Sequence, residues 1–208
     1  MTEKGSPLIL NASSTLDAAR EVFKRGGVIA YPTETFYGLC VDPFNEGAVE
    51  RLFTLKGRTA KNPVSVIIPA VSMLEKVAVE VTPLARTLIK RFWPGPLTVI
   101  FKARSNVPPL LLGSTGKIGV RVSSSPVAKR LSETLSSPIT ATSANPSGSQ
   151  PPASAEEVLA YFNGSIDVLI DGGRLPGRLG STVVDATGES LAVVRAGEVP
   201  TEEILKAL

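Results

Sequence analysis

Hydrophobic residues recur along this chain in two alternating patterns, one with the spacing of an amphipathic helix and one typical of a buried strand. In NEGAVERLFTLKGR, Ala48, Leu52 and Phe53 fall on one helical face, and Asn45 precedes them as an N-terminal cap. In STLDAAREVFKRGG the helix is predicted to start at residues 14–15 and to stop at the Gly-Gly pair. Similar patterns predict helices in TPLARTLIKRFWPG, SPVAKRLSETL, SAEEVLAYF and TEEILKAL.

Short apolar runs between these helices predict strands in VIAYPT, PVSVIIP, PLTVIFKA, IGVRV, PITATSA, DVLIDGG, STVVDA and LAVVRAG. Because helices and strands occur in similar numbers and mixed order, we expect an α/β fold with a twisted sheet of parallel and antiparallel strands, flanked by helices. The loop at 146–153 resembles a linker, but only about 55 residues follow it, too few for a comfortable separate core. We therefore predict a single domain over residues 10–208, with residues 1–9 as an N-terminal extension.

The composition supports this picture and restricts the chemistry. The 208 residues are 43% hydrophobic and 20% charged, as in a globular protein with a buried core. No apolar run reaches the roughly 18 residues that a membrane helix needs, and the N-terminus lacks the features of a signal peptide. The single cysteine, Cys40, excludes an internal disulfide, so we expect a cytoplasmic protein.

The absence of histidine is the most informative count. It excludes a histidine-based catalytic triad, a histidine-ligated metal and an imidazole base, and a lone cysteine excludes a thiolate zinc site. Chemistry must therefore come from cations, hydroxyls, carboxylates and backbone amides. Mg²⁺ remains compatible with this set, because substrate phosphates and water usually supply most of its ligands.

The segment KGRTAKNP concentrates three cations, Lys56, Arg58 and Lys61, in a chain whose net charge is only +3. A cation in the last turn of a helix offsets the helix dipole, which explains Lys56 but not the cations that follow it. A forked arginine beside a lysine suits a polyphosphate. The segment GSTGK does not supply a P-loop, because Leu111 and Ile118 replace its first glycine and its Ser/Thr.

Polar residues also follow or interrupt several predicted strands, where ligands of α/β sheets gather. In YPTETFYGL, Thr33 and Thr35 either satisfy a backbone turn or line the mouth of a pocket. TATSAN ends a strand with hydroxyl and amide side chains, which an ordinary turn before Pro146 would also explain. Arg121 interrupts the apolar strand IGVRV, and it is either solvated or paired with a carboxylate.

In order, the motifs YPTETFYGL, KGR, NPVSVII, PGPLTVIF, GVRV, TSAN, STVVD and VVRAG resemble the YrdC-like family of L-threonylcarbamoyladenylate synthases. The resemblance extends from about residue 10 to the C-terminus, and it is to the short bacterial form of the family. It implies an open ligand cavity and a reaction in which L-threonine, bicarbonate and ATP give threonylcarbamoyl-AMP and pyrophosphate. The product serves tRNA threonylcarbamoyladenosine synthesis, with downstream tRNA threonylcarbamoyl transferase proteins as partners.

The resemblance also implies roles for individual residues. Lys56 and Arg58 are the expected catalytic residues, acting on the ATP phosphates, and Mg²⁺ is expected to be held mainly by those phosphates, with no metal ligand from protein side chains. The expected ATP-binding residues are Lys56, Arg58, Asn62, Ser143, Asn145 and Arg195. The expected threonine-binding residues are Thr35, Arg121, Ala141 and Ser181, with Arg121 on the amino acid's carboxylate.

Two positions depart from the family pattern. Ile67 stands where some relatives have a threonine-contacting histidine, and Lys117 stands where a threonine is common, which makes Lys117 a further candidate phosphate ligand. Two alternatives to the synthase stay open: a module that binds double-stranded RNA or tRNA without catalysis, and an inactive paralogue that binds another small ligand. We expect a monomer or a homodimer that does not associate with membranes.

Overall fold

A computed structural model of the protein describes residues 5–208. Within this range the chain forms one ten-stranded mixed sheet with helices on both faces, which confirms the predicted α/β architecture. The strands are β1 (Leu8–Asn11), β2 (Ile29–Pro32), β3 (Tyr37–Cys40), β4 (Ser65–Ile67), β5 (Leu97–Lys102), β6 (Lys117–Arg121), β7 (Ile139–Ser143), β8 (Val168–Asp171), β9 (Thr182–Asp185) and β10 (Ala192–Arg195).

The helices begin where side chains can satisfy free backbone N–H groups. Asn45, Thr82, Ser125 and Ser154 each accept a hydrogen bond from the backbone N–H three residues on. The first helix is different: it begins at Asp17, after the predicted residues 14–15, and has no side-chain cap. The helices are α1 (Asp17–Lys24), α2 (Glu46–Lys56), α3 (Pro83–Phe92), α4 (Pro109–Leu112), α5 (Pro126–Leu135), α6 (Ala155–Phe162) and α7 (Thr201–Lys206), and a 3₁₀ helix spans Val71–Lys76.

The strand order is β1-β8-β2-β3-β7-β4-β6-β5-β9-β10. The pairs β1/β8, β2/β8, β4/β6 and β5/β9 are parallel, and the other five are antiparallel. The edge strand β1 begins at Leu8, so the sheet already includes the last two residues of the predicted extension 1–9.

Two hydrophobic cores cover the faces of the sheet. Along residues 28–31 successive side chains alternate between them, as the two-residue period of a strand requires. One core packs β2 against α1 and α5, and the other packs the sheet against α2, α3 and α6. These layers leave strand ends and loops to form the functional site. Among residues 5–208, no helix is both long enough and apolar enough to cross a membrane.

Candidate functional site

A cavity of about 780 Å³ lies over the middle of the sheet, lined by residues of β2 to β7, β9 and β10 and of the loops around them. Eight of the ten predicted site residues line it: Thr35, Arg58, Asn62, Arg121, Ala141, Ser143, Ser181 and Arg195. Lys56 and Asn145 do not line it. A second hollow of about 700 Å³, between the 3₁₀ helix and α3, contains none of the predicted residues.

Arg121, the last residue of β6, is only 6% exposed and is paired within the protein. Its Nε lies 3.2 Å from Glu34 Oε1, an ion-pair contact whose angle is poor for a hydrogen bond. The other oxygen of Glu34 accepts a hydrogen bond from the Ser123 hydroxyl, and Arg121 Nη1 lies 3.4 Å from Ser181 Oγ. One edge of the guanidinium thus lies against Glu34, Nη1 lies beside Ser181, and Arg121 lines the cavity.

Glu34 is a site residue that the sequence patterns did not single out. It stands between the two threonines of YPTETFYGL, and it is the only carboxylate in that motif. A buried arginine requires a counter-charge, so an acidic residue in a neighbouring polar motif was the available signal. Its pairing partner, 87 positions away in the sequence, could not be identified without the sheet topology.

Ser181 connects two of the arginines. Its carbonyl oxygen accepts hydrogen bonds from Nε and Nη2 of Arg195 at 3.2 and 2.7 Å. Its hydroxyl lies 3.1 Å from Arg195 Nη2 and 2.9 Å from Thr98 Oγ1. Ser181 thus brings Arg121 on β6 and Arg195 on β10 to the same wall of the cavity.

Arg58 approaches the cavity from the segment after α2. Gly57 takes the left-handed conformation (φ +58°) that ends the helix, and the chain then turns. Arg58 Nε and Nη2 donate to the carbonyl oxygens of Asn62 and Pro63 at 2.9 and 2.7 Å, which closes a compact loop on the cavity rim. The Asn62 side-chain amide donates to Thr59 Oγ1 at 3.3 Å.

The pKa values of two of the three arginines that line the cavity are lowered. Burial lowers the pKa of Arg58, and repulsion from Arg195 lowers it further. Burial likewise lowers the pKa of Arg195, and Arg121 adds to the effect. Arginines nevertheless remain protonated at neutral pH. Arg195 therefore lies close enough to both Arg58 and Arg121 for the positive charges to repel, and a bound polyanion would relieve that repulsion.

Lys56 and Asn145 lie behind the cavity wall. Lys56 is 2% exposed, and its ammonium donates to the Ser143 carbonyl and, at 2.6 Å, to the Asn145 carbonyl. Burial, with a smaller contribution from Arg58, lowers the pKa of Lys56 to about 7. The Asn145 amide donates to the carbonyls of Pro146 and Ser149 at 2.9 and 2.8 Å. Both side chains thus contact the protein backbone in this structure.

The sequence left open whether the threonines of YPTETFYGL close a backbone turn or line a pocket, and the structure shows both. Thr33 Oγ1 donates to the Phe36 carbonyl at 2.7 Å and accepts from the Thr35 N–H at 3.1 Å, so it closes a local turn. Thr33 and Thr35 also line the cavity. Gly119, on β6, also lines the cavity, and a Cβ there would approach Ser65 Oγ to 2.5 Å, so any side chain at this position would have to displace Ser65.

The two departures from the family pattern have different surroundings. Ile67 is fully buried in the core that α1 and α5 cover, and it does not line the cavity. Lys117 does line it, 2.6 Å from Asp185 Oδ2. Burial raises the pKa of Asp185, but hydrogen bonds from Lys117 and Thr187 outweigh this, and the pKa is lowered overall.

The chain is similar in sequence to one family of known proteins along most of its length. The Sua5_yciO_yrdC family model, described as "Telomere recombination", matches residues 21–197. A threonylcarbamoyl-AMP synthase from Pyrococcus abyssi is 40% identical over 185 residues, which is 89% of this chain and 54% of that protein. A threonylcarbamoyl-AMP synthase from Coxiella burnetii is 34% identical over 86% of this chain and 97% of its own length.

Among solved structures, P. abyssi Sua5 in complex with L-threonine superimposes with a TM-score of 0.92 at 38% identity. The match covers 97% of this chain and 61% of that one. The chain thus spans little more than half the length of the P. abyssi protein, whereas it accounts for nearly all of the C. burnetii one. The extent of the family match and these identities establish that the chain belongs to the Sua5–YciO–YrdC family.

Proposed function

We propose that this protein is an L-threonylcarbamoyladenylate synthase, a nucleotidyltransferase that forms threonylcarbamoyl-AMP and pyrophosphate from L-threonine, bicarbonate and ATP. The observation that supports this most strongly is the convergence of Arg58, Arg121 and Arg195 on one cavity with strand-end hydroxyls. The threonylcarbamoyl-AMP synthase relatives favour this function over an RNA-binding module or an inactive paralogue.

The nucleotide occupies the part of the cavity nearest Arg58 and Arg195 in this proposal. Both guanidiniums are already oriented by backbone carbonyls, so little side-chain entropy is lost when they meet phosphate oxygens. Asn62 and Ser143 contribute further polar groups to the lining of the same cavity. A volume of about 780 Å³ lies within the usual range for small-molecule sites, roughly 300–1,000 Å³.

Threonine occupies the part nearest Arg121, and the guanidinium edge not facing Glu34 binds its carboxylate. Thr35, Ala141 and Ser181 also line the cavity, and in this proposal their hydroxyl and backbone groups bind the small polar side chain of the substrate. The fixed Glu34 contact sets the direction of the fork before the substrate arrives. P. abyssi Sua5, with 38% identity, has been solved with L-threonine bound.

The chemistry then needs positioning more than acid–base groups. The threonine amine nitrogen forms a bond to the bicarbonate carbon, and water leaves, giving a carbamate anion. A carbamate oxygen attacks the α-phosphorus, and the bond to the pyrophosphate oxygen breaks. The attacking group is already anionic, so no strong base is needed for the second step. Arg58 and Arg195 stabilise the charge that develops on the phosphates.

The residues that line the cavity are compatible with a metal ion that enters together with the nucleotide. Among the described residues, no cluster of three or more His, Cys, Asp or Glu side chains could hold an ion. Asp185 lines the cavity, but Lys117 and Thr187 already hydrogen-bond its carboxylate. We therefore propose that triphosphate oxygens and water hold Mg²⁺, which supplies charge neutralisation when bound.

The product would be consumed by tRNA threonylcarbamoyl transferase proteins that make threonylcarbamoyladenosine. We infer that the protein acts in the cytoplasm, because the transferases that would consume its product act on tRNA. The loop 146–153 is proposed as a cover over the nucleotide, since Pro151 lines the cavity.

The test is an omission experiment with labelled ATP. The purified chain should release pyrophosphate when threonine, bicarbonate and ATP are all present, and omitting any one of them should abolish release. Arg58→Ala should lose most of this activity, whereas Arg86→Ala, an exposed arginine on α3 in the second hollow, should retain it. Release that is independent of threonine or bicarbonate would refute the proposal.

A further inference from the structure

Lys56 connects helix α2 to the wall of the cavity through three hydrogen bonds. Its side-chain ammonium donates to the Ser143 and Asn145 carbonyls, and its backbone carbonyl accepts from the Ser147 N–H at 2.8 Å. The side-chain partners lie 87 and 89 positions away in the sequence, so these hydrogen bonds join two distant segments. One residue thus holds three points of the segment that leaves β7.

That segment forms part of the cavity wall and leads to its rim. Ser143 and Pro151 line the cavity, and between them Asn145 hydrogen-bonds the Pro146 and Ser149 carbonyls. At its far end, the Pro152 carbonyl accepts from the Tyr37 N–H at 3.0 Å. Lys56 therefore anchors the near end of the wall, and β3 anchors the far end.

The Ser143 and Asn145 carbonyls both point to the Lys56 ammonium. Two converging carbonyl oxygens repel each other unless a donor lies between them, and a buried carbonyl without a donor is costly. The ammonium supplies a donor to each and so fixes the direction in which both carbonyls point. With 2% exposure and both side-chain hydrogen bonds made to backbone, this ammonium is not positioned to meet a ligand phosphate.

We propose that Lys56 is a positioning residue, whose ammonium fixes the wall segment 143–151 in the shape that binds the nucleotide, while Arg58 on the cavity side contacts the phosphates. This inference rests on the proposed function for its link to ATP. It assigns different roles to the two cations of KGR, one structural and internal, the other in contact with substrate. The wall hydrogen bonds exist in the free protein and so can be tested without turnover.

The first measurement is hydrogen–deuterium exchange on the full chain without ligand, comparing wild type with Lys56→Met. We expect exchange in residues 144–149 to accelerate at least about tenfold, because Lys56→Met removes two hydrogen bonds and the net loss of even one predicts that factor. Lys90→Met, which alters an exposed lysine on α3, is the matched control and should leave this segment unchanged. Unchanged exchange in a folded Lys56→Met would overturn the proposal.

The second measurement separates positioning from direct contact. In Lys56→Met, the KM for ATP should rise at least about tenfold, while kcat at saturating ATP should fall much less than in Arg58→Ala. Equal losses of kcat in the two variants, with normal KM, would mean direct phosphate contact and contradict the proposal. If the wild type forms no product, ATP affinity from calorimetry replaces KM, so the synthase assignment can fail separately.

Two further variants, Lys56→Ala and Lys56→Arg, keep the proposal testable if Lys56→Met does not fold. Lys56→Ala leaves space for a small cation, and adding ethylammonium should restore slow exchange and ATP affinity, because the cation can again satisfy both carbonyls. Failure of ethylammonium and of Lys56→Arg to restore either property, in proteins with wild-type circular dichroism, would contradict the proposal. If Lys56→Met does not fold, these two variants decide the question.

Discussion

Replacing Arg121 with lysine separates the charge of this residue from its forked shape. In the structure the Arg121 guanidinium makes two kinds of contact. Its Nε lies 3.2 Å from Glu34 Oε1, and its Nη1 lies beside Ser181 in the lining of the cavity. A lysine keeps one positive charge but has a single nitrogen. It can pair with Glu34 or with the threonine carboxylate, but it cannot hold both in a planar arrangement.

The expected rise in the half-saturating threonine concentration follows from the hydrogen bonds that lysine, which has a single donor nitrogen, cannot make. A hydrogen bond to a charged group contributes about 1.5–3 kcal/mol. Reducing a two-pronged carboxylate interaction to a single hydrogen bond should therefore raise the half-saturating threonine concentration roughly 10- to 150-fold. Stability should change much less than when the charge is removed, because a lysine ammonium can maintain the ion pair with Glu34. Arg121→Met, by contrast, leaves the Glu34 carboxylate, whose side chain is only 11% exposed, without a counter-charge, and should lose about 3–5 kcal/mol.

The assay is pyrophosphate release against threonine concentration at saturating ATP, together with urea unfolding of each variant. Arg86→Lys, an exposed arginine outside the cavity, is the control and should behave like wild type. A normal threonine dependence in Arg121→Lys would show that Arg121 does not bind the substrate carboxylate. A large loss of stability in the same variant would show that its fork is needed for folding.

Three further predictions address the cations around the cavity. Arg58→Ala should lower turnover about 10²- to 10³-fold, as removal of a charge-stabilising donor does, and near-normal pyrophosphate release would contradict this. Lys117→Met should cost about 1 kcal/mol or less in urea unfolding, since its pair with Asp185 is partly exposed. Burial lowers the pKa of Lys56 from its ordinary 10.5 to about 7, so the unfolded chain binds more protons between these values. The unfolding free energy of wild type relative to Lys56→Met should therefore rise from pH 7 to 10 by up to about 1.4 kcal/mol per pH unit, and a flat difference would disprove the shift.

The parts of the fold that depend on neighbouring residues were predictable from the sequence. The caps at Asn45, Thr82 and Ser125 act on N–H groups three residues away, and all three helices begin where the cap predicts. The order of elements likewise predicted the mixed α/β sheet. The predicted start of α1 was wrong, because a Ser-Thr pair precedes that helix without capping it.

Long-range partners were not predictable in the same way. That Arg121 needed a counter-charge follows from its place in an apolar strand, but Glu34 became identifiable only once β2, β3 and β6 were arranged in the sheet. The family resemblance implied that both cations of the motif KGR contact the ATP phosphates. The structure separates them, because the last turn of α2 directs Lys56 inward, and the left-handed Gly57 then redirects the chain and places Arg58 on the rim.

The central claim is that one cavity brings together a triphosphate and an amino acid and joins them through a carbon from bicarbonate. The most direct test is mass spectrometry of the product formed from ATP, L-threonine and ¹³C-bicarbonate. The account predicts an adenylate whose mass contains AMP, threonine and one ¹³C carbonyl, formed in equal amount with pyrophosphate. Formation of ADP and phosphate, or of an adenylate without the ¹³C carbon, would contradict it.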